Sequence, residues 1–265
     1  AACGGIVAVI LSLVFPAFII QFGWSNGYVL LGVVVFALTT PVGLFLLRSK
    51  PSDVGLAPYG ANATPVQSSN TDVSGLSFAQ ALRTPQLWVV ALGFMVLAIT
   101  VTVTQHLAAF FVSIGFDAVM AGIFMSVISA GIIVTNFGAG ILADKMGLMR
   151  AFILCSVLLA LSFVLLPITA SIPLICIALV LMSIGNANTT LFAPMMTQSI
   201  FGIRDYASIW GVISMASVLG QAVGAPCWGL AYDLTGGYEI AMFISAVLVC
   251  VSAIALFGAS KTARA

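Results

Sequence analysis

The chain has 265 residues, of which 62% are hydrophobic and only 6% charged, with a formal net charge of +1 and a mean hydropathy of +1.24. Few soluble folds could keep so apolar a chain in water, so lipid is the expected solvent for most of it. Nothing in the composition points to nucleic acid, a metal or an organic cofactor.

Eight apolar spans are predicted, at 4–22, 27–47, 87–112, 118–142, 151–168, 173–199, 207–232 and 238–258. Each is near or above the roughly 20 residues a bilayer-spanning helix needs. None carries Asp, Glu, Lys or Arg in its interior. Barrel strands would alternate polar and apolar residues, and these runs are continuous. Helices satisfy their own backbone polar groups in lipid, so the fold class is all-α integral membrane.

The chain opens at Ala1 with no Met and no charged flank, already at the edge of the first span. No basic start or cleavage site marks a signal peptide there. An upstream portion is therefore expected. After the short connector 23–26, the 48–85 loop carries Arg48, Lys50 and Arg83. Its 49–80 stretch is rich in Pro, Ser, Asn, Thr and Gly, which suits a flexible connector between two helices and a six-helix unit. Lys145 and Arg150 follow in 143–150, Arg204 in 200–206, and Lys261 and Arg264 in the tail. These are all eight basic residues, and they occupy alternate connectors. The other connectors have only acids nearby: Asp117, Asp233 and Glu239. The positive-inside rule puts the long loop and the C-terminus in the cytoplasm.

Two segments share the pattern G-x-x-x-D-x-x-G, Gly140 to Gly147 and Gly229 to Gly236. Three crossings lie between them, so the two motifs fall on opposite sides. That predicts an inverted repeat of three helices plus three, a building plan of secondary transporters. Pro16, Pro41, Pro194 and Pro226 lie within spans and are expected to kink or weaken them. The five cysteines sit at or in apolar spans without a C-x-x-C, and read as packing residues. The single His leaves no His-based zinc site.

Polar groups inside lipid are costly unless paired or wet, so they mark candidate sites. The third span offers Thr102, Thr104, Gln105 and His106; the fourth, Asn136; the sixth, Asn186, Asn188, Thr189 and Thr190; the seventh, Ser214, Ser217 and Gln221. The candidates for contact with a substrate are Gln105, His106, Asn186, Asn188, Thr189 and Gln221. His106 is the one side chain within a span that titrates near neutrality, which suits a substrate hydrogen bond or a proton-linked switch. Its bland alternative is packing beside Gln105. Asn186 and Asn188, two residues apart, cannot face the same way, so one lines a cavity while the other bonds a neighbouring helix. Gln221 lies between Gly220 and Gly224, which equally suit close helix packing. Asn136 reads as a packing residue. Asp144 at a helix end can accept hydrogen bonds from a helix N-terminus, and Lys145 and Arg150 can pair with it at the headgroups.

Gly140, Leu142, Ala143, Asp144, Lys145, Gly147 and Arg150 resemble the G-x-L-A-D-[RK]-x-G-x-x-R signature of the major facilitator superfamily, between that family's eighth and ninth helices. Arg48 to Gly60 resembles the start of the central loop in many bacterial members. Ala81 to Trp88 resembles the lead-in to the seventh helix, and Gly224 to Tyr238 the eleventh helix and its following turn. The resemblance implies that the eight spans are helices five to twelve. Residues 1–47 are then the last two helices of the N-terminal half, 48–85 the central loop, 86–260 a complete six-helix half, and 261–265 a cytoplasmic tail. It implies a secondary transporter of a small solute, placed in a bacterial inner membrane, with protons as the candidate coupling ion. It also implies that Gly140, Asp144, Lys145, Gly147 and Arg150 form a conformational latch.

The loop resemblance leans toward carriers of monocarboxylates and related organic anions. Such carriers place an Arg or Lys within the eighth or eleventh helix, and neither is present in 118–142 or 207–232. A neutral solute fits these residues as well. Ser25 also departs from the Arg that many relatives have after Gly-Trp. An enzyme is disfavoured: there is no H-E-x-x-H, no G-x-S-x-G and no acid inside a span. No P-loop supports an ATP-driven pump. A non-transporting scaffold or an inactive fragment is the remaining alternative.

Overall fold

The computed structural model describes residues 2–41 and 75–262. The predicted loop from 48 to 74, the end of the second predicted span and Arg264 lie outside the described residues. The described chain is all-α, in ten helices: α1 Ala2–Pro41, α2 Phe78–Arg83, α3 Pro85–Val101, α4 Leu107–Ser113, α5 Ala118–Met146, α6 Leu148–Ile168, α7 Ile172–Ala187, α8 Ala193–Phe201, α9 Tyr206–Thr235 and α10 Glu239–Thr262. Seven runs among the described residues are long and apolar enough to cross a membrane.

Contacts divide the chain into two units, one holding 1–12 and 74–265, the other 13–73. Within the second, α1 breaks at Gly23, whose φ of 81° and ψ of 158° suit a residue without a Cβ. The connector expected over 23–26 is thus a single residue. The Asn26 amide donates to the Phe22 carbonyl across the break, at 2.8 Å.

In the first unit, polar residues at the connectors set the helix ends. Ser77 and Gln80 form a capping box at α2, the Ser77 hydroxyl accepting from the Gln80 N–H and the Gln80 side chain from the Ser77 N–H. Asp117 caps α5 by accepting from the Met120 N–H at 2.7 Å. Gly147 ends α5 at φ 86° and Gly236 ends α9 at φ 75°, so the last glycine of each G-x-x-x-D-x-x-G motif stops its helix. The segment leading into α2 is pinned to the α8–α9 connector. The Leu76 N–H donates to the Phe201 carbonyl at 2.9 Å, and the Phe78 N–H to Asp205 Oδ2 at 2.7 Å.

Two predicted helices are not uniform. The span 87–112 tightens into a 3₁₀ turn at Thr102–Gln105 between α3 and α4. Val101-Thr102-Val103-Thr104 is β-branched throughout, and two hydroxyls turn back on the chain. Thr102 donates to the Ile99 carbonyl at 2.5 Å and Thr104 to the Val101 carbonyl at 3.0 Å. The span 173–199 widens into a π-turn at Asn188–Phe192 between α7 and α8. Pro194 lacks an N–H and its ring crowds the carbonyl four residues back, which the wider turn relieves. The tail is also shorter than expected, because α10 runs through Lys261 to Thr262.

Helix association in lipid rests on close packing rather than on burial from water. The α9 backbone meets α3 at Gly220 and Gly224, where a Cβ would strike the main chain of Met95 and Ile99. Gly185 gives room to Leu159 on α6, and Gly93 to Leu256 on α10. Trp228 closes the α3–α9 contact by donating its indole N–H to the Ile99 carbonyl at 3.2 Å and stacking on Phe163 at 6.4 Å. Large apolar side chains such as Val134 (72% exposed) face outward, as lipid permits.

Candidate functional site

The breaks in α3–α4 and α7–α8 lie across from each other in the bundle and open a polar cavity of about 220 Å³. Thr102, Thr104 and Gln105 come from the 3₁₀ turn, Asn186, Thr189 and Thr190 from the end of α7 and the π-turn, and Gln221 from α9. Ala98 and Val101 complete the wall. An adjoining void of only about 10 Å³ shares Val101, Thr104 and Asn186 with this cavity and is otherwise walled mainly by apolar residues such as Ile128, Ile132, Phe163 and Met182.

The threonine hydroxyls have their protons committed. Thr189 and Thr190 both donate to the Asn186 carbonyl at 3.1 Å, and Thr190 also approaches Asn136 Oδ1 at 3.4 Å. What these threonines offer a ligand is oxygen lone pairs. The side-chain amides of Gln105, Asn186 and Gln221 hold no hydrogen bond to another described residue, so each offers a carbonyl acceptor and an N–H₂ donor. No Asp, Glu, Lys, Arg or His is among the lining residues. The cavity therefore suits a solute with several uncharged donors and acceptors.

Of the six sequence candidates, the structure brings Gln105, Asn186, Thr189 and Gln221 together and separates two. Asn188 is fully buried on the other side of its helix, where its amide donates to Ser156 Oγ at 3.1 Å and its Oδ1 has no partner. His106 turns from the cavity to α9, and its Nε2 lies 3.0 Å from the Ala225 carbonyl. A carbonyl can only accept, so Nε2 carries the proton. The imidazole also lies 5.9 Å from the Tyr238 ring, at the edge of an aromatic group that includes Tyr232 and Phe110. Ser214 and Ser217 bond back to the Gly211 and Ile213 carbonyls and do not line the cavity. Sequence reasoning missed Ser156 as the partner of Asn188; a serine within an apolar helix carries no local signal of the helix it will face.

The signature residues sit at the α5–α6 corner, with Asp144, Lys145, Gly147 and Arg150 exposed. Among the described residues no ion pair joins Asp144 to Lys145 or Arg150, contrary to the expected pairing. Adjacent helix positions point about 100° apart, and Arg150 lies beyond the Gly147 turn on the next helix.

The family model described as Major Facilitator Superfamily matches residues 1–150 and 114–265. The fold is similar to that of the E. coli fucose:proton symporter FucP in a single-residue variant, with a TM-score of 0.58 at 16% identity over 69% of this chain and 46% of that one. A structure of FucP in the outward conformation gives a TM-score of 0.58 at 15% identity, over 89% of this chain and 55% of that one. The chain thus spans about half the length of the solved structures it matches. No curated protein matches it.

Proposed function

Because this chain belongs to the major facilitator superfamily and is an integral membrane protein, we propose that it supplies one side of the solute path of a secondary transporter working by alternating access. The carrying observation is the uncharged cavity, where three uncommitted amides and four threonine oxygens converge between two interrupted helices. Interrupted helices at a central site are a recurring device of such carriers. Family membership favours a transporter over an enzyme.

A neutral, hydroxyl-rich solute complements this lining best, and a fold neighbour is a fucose:proton symporter. The organic-anion reading rests on the resemblance of 48–60 and 81–88 alone. It needs a cation, and among the described residues no Lys, Arg or His lines the cavity; His106 turns from it toward Ala225. Proton coupling is part of the proposal, with the coupling group outside the cavity lining. We place the basic end of the bundle in the cytoplasm of a bacterial cell; a reporter fused to the C-terminus is then active only inside.

The test is uptake of a labelled neutral polyol by the complete protein in proteoliposomes, with competitors. Polyols should compete and monocarboxylates should not; the reverse order would overturn the neutral reading, and no uptake of either would favour a scaffold. In the same assay His106→Gln should keep the pH dependence, since Gln retains a donor toward Ala225. If the Gly140–Arg150 corner acts as a latch, Asp144→Asn should lower kcat about tenfold and leave KM in place. An unchanged kcat would reduce the corner to a topological anchor.

A further inference from the structure

A second cavity, of about 250 Å³, lies between α6 and α10 and shares no residue with the polar one. Its walls are Ile153, Val157, Ile254 and Phe257, with Ala253 and Ser156 in its depth. Ser156 is 2% exposed, and its hydroxyl is already used, donating to the Phe152 carbonyl at 2.9 Å and accepting from Asn188. Apart from the free thiol of Cys250, the groove therefore presents carbon to its occupant. Val157 is 53% exposed and Ile254 71%, so it opens on the outer surface of the bundle.

The two walls share one spacing. Arg150, Ile153 and Val157 on α6 stand at i, i+3 and i+7, as do Ile254, Phe257 and Lys261 on α10. Residues so spaced share a helix face. The helices are connected so that α6 begins at the end where α10 finishes. Arg150 and Lys261 therefore fall at the same mouth of the groove. Lys261 is held there, its Nζ 4.7 Å from the centre of the Phe257 ring. Neither cation is in an ion pair with a described residue; of the described acids at this end, Asp205 is engaged by the Phe78 N–H and Asp144 is exposed in the last turn of α5, before Arg150.

We infer that this groove is a binding site for a phospholipid with an anionic headgroup. One acyl chain lies along Ile153, Val157, Ile254 and Phe257, and the phosphate is met by Arg150 and Lys261. Carbon walls supply contact area, and two unpaired cations at one end supply the charge that selects among lipids.

The test is native mass spectrometry of the complete protein, titrated with phosphatidylglycerol and with phosphatidylcholine of the same acyl chains. The protein should retain phosphatidylglycerol about twenty-fivefold better, given about fivefold for each of two basic residues at an anionic headgroup. R150Q with K261Q should bring the ratio to about one, and Val157→Trp, filling the groove from its rim, should lower retention of both lipids. Should the double variant unfold, K261Q alone, at an exposed helix end, should lower the preference about fivefold. Equal retention by the unaltered protein means an annular lipid film only and overturns the inference. So does a preference that survives loss of the charges, or a dimer that covers the groove and excludes lipid.

Discussion

Gly224→Val in the complete protein should abolish most of the folded yield, and Gly220→Val should do nearly as much. A Cβ at Gly224 would lie 2.9 Å from the Ile99 Cα and carbonyl oxygen, and one at Gly220 would meet the Met95 carbonyl. These are main-chain atoms of a helix, which cannot rotate aside as a side-chain tip can. Overpacking a core commonly costs about 1–3 kcal/mol, and a rigid backbone neighbour puts the cost at the upper end or beyond. Separating α9 from α3 also removes the Trp228 bond to Ile99 and moves Gln221, which lies between the two glycines, out of the cavity. Gly229 on the same helix is the control, because nothing lies within 4 Å of its would-be Cβ. Gly229→Ala should leave the yield and the unfolding temperature in detergent unchanged. Equal tolerance at 224 and 229 would show that α3 and α9 do not approach as described.

Asn186→Leu and Asn188→Ala, two positions apart, should fail in different ways. Asn186 faces the polar cavity, so its loss should lower kcat/KM for uptake by about tenfold to a hundredfold, the range expected when a site loses one or two hydrogen bonds to its ligand. Its unfolding temperature should hold, because the side-chain amide bonds no described residue. Asn188 is buried against Ser156, so its loss should leave KM in place. It removes one hydrogen bond but also an unpartnered buried oxygen, so the net cost is about 1 kcal/mol and a few degrees of unfolding temperature. A KM effect at 188 with none at 186 would reverse the facing of this helix and remove the basis for the cavity.

Seven of the eight predicted crossings and the alternate placing of the described basic residues were legible in the sequence, because hydropathy and charge act residue by residue. So were the terminal glycines of the two motifs, since Gly147 and Gly236 sit where a helix must stop at positive φ. The choice between Asn186 and Asn188 was readable only as a choice: helical spacing says the two diverge, not which way either faces. The 3₁₀ turn had a signal in the β-branched Val101–Thr104 run and the π-turn in Pro194, yet both spans read as unbroken because hydropathy does not fall at either place. His106 was recognisable as unusual, but its partner, Ala225, lies 119 residues away. By itself, then, the sequence determined that this chain lies in lipid, where it crosses and which end is basic. Only the tertiary structure decided that α9 lies on α3, which polar groups meet and which cavity stays apolar. The reason is that lipid makes every apolar helix face equivalent, so no periodic pattern marks the buried side. Contact is then chosen by the shapes of small residues such as Gly220 and Gly224 against a particular neighbour.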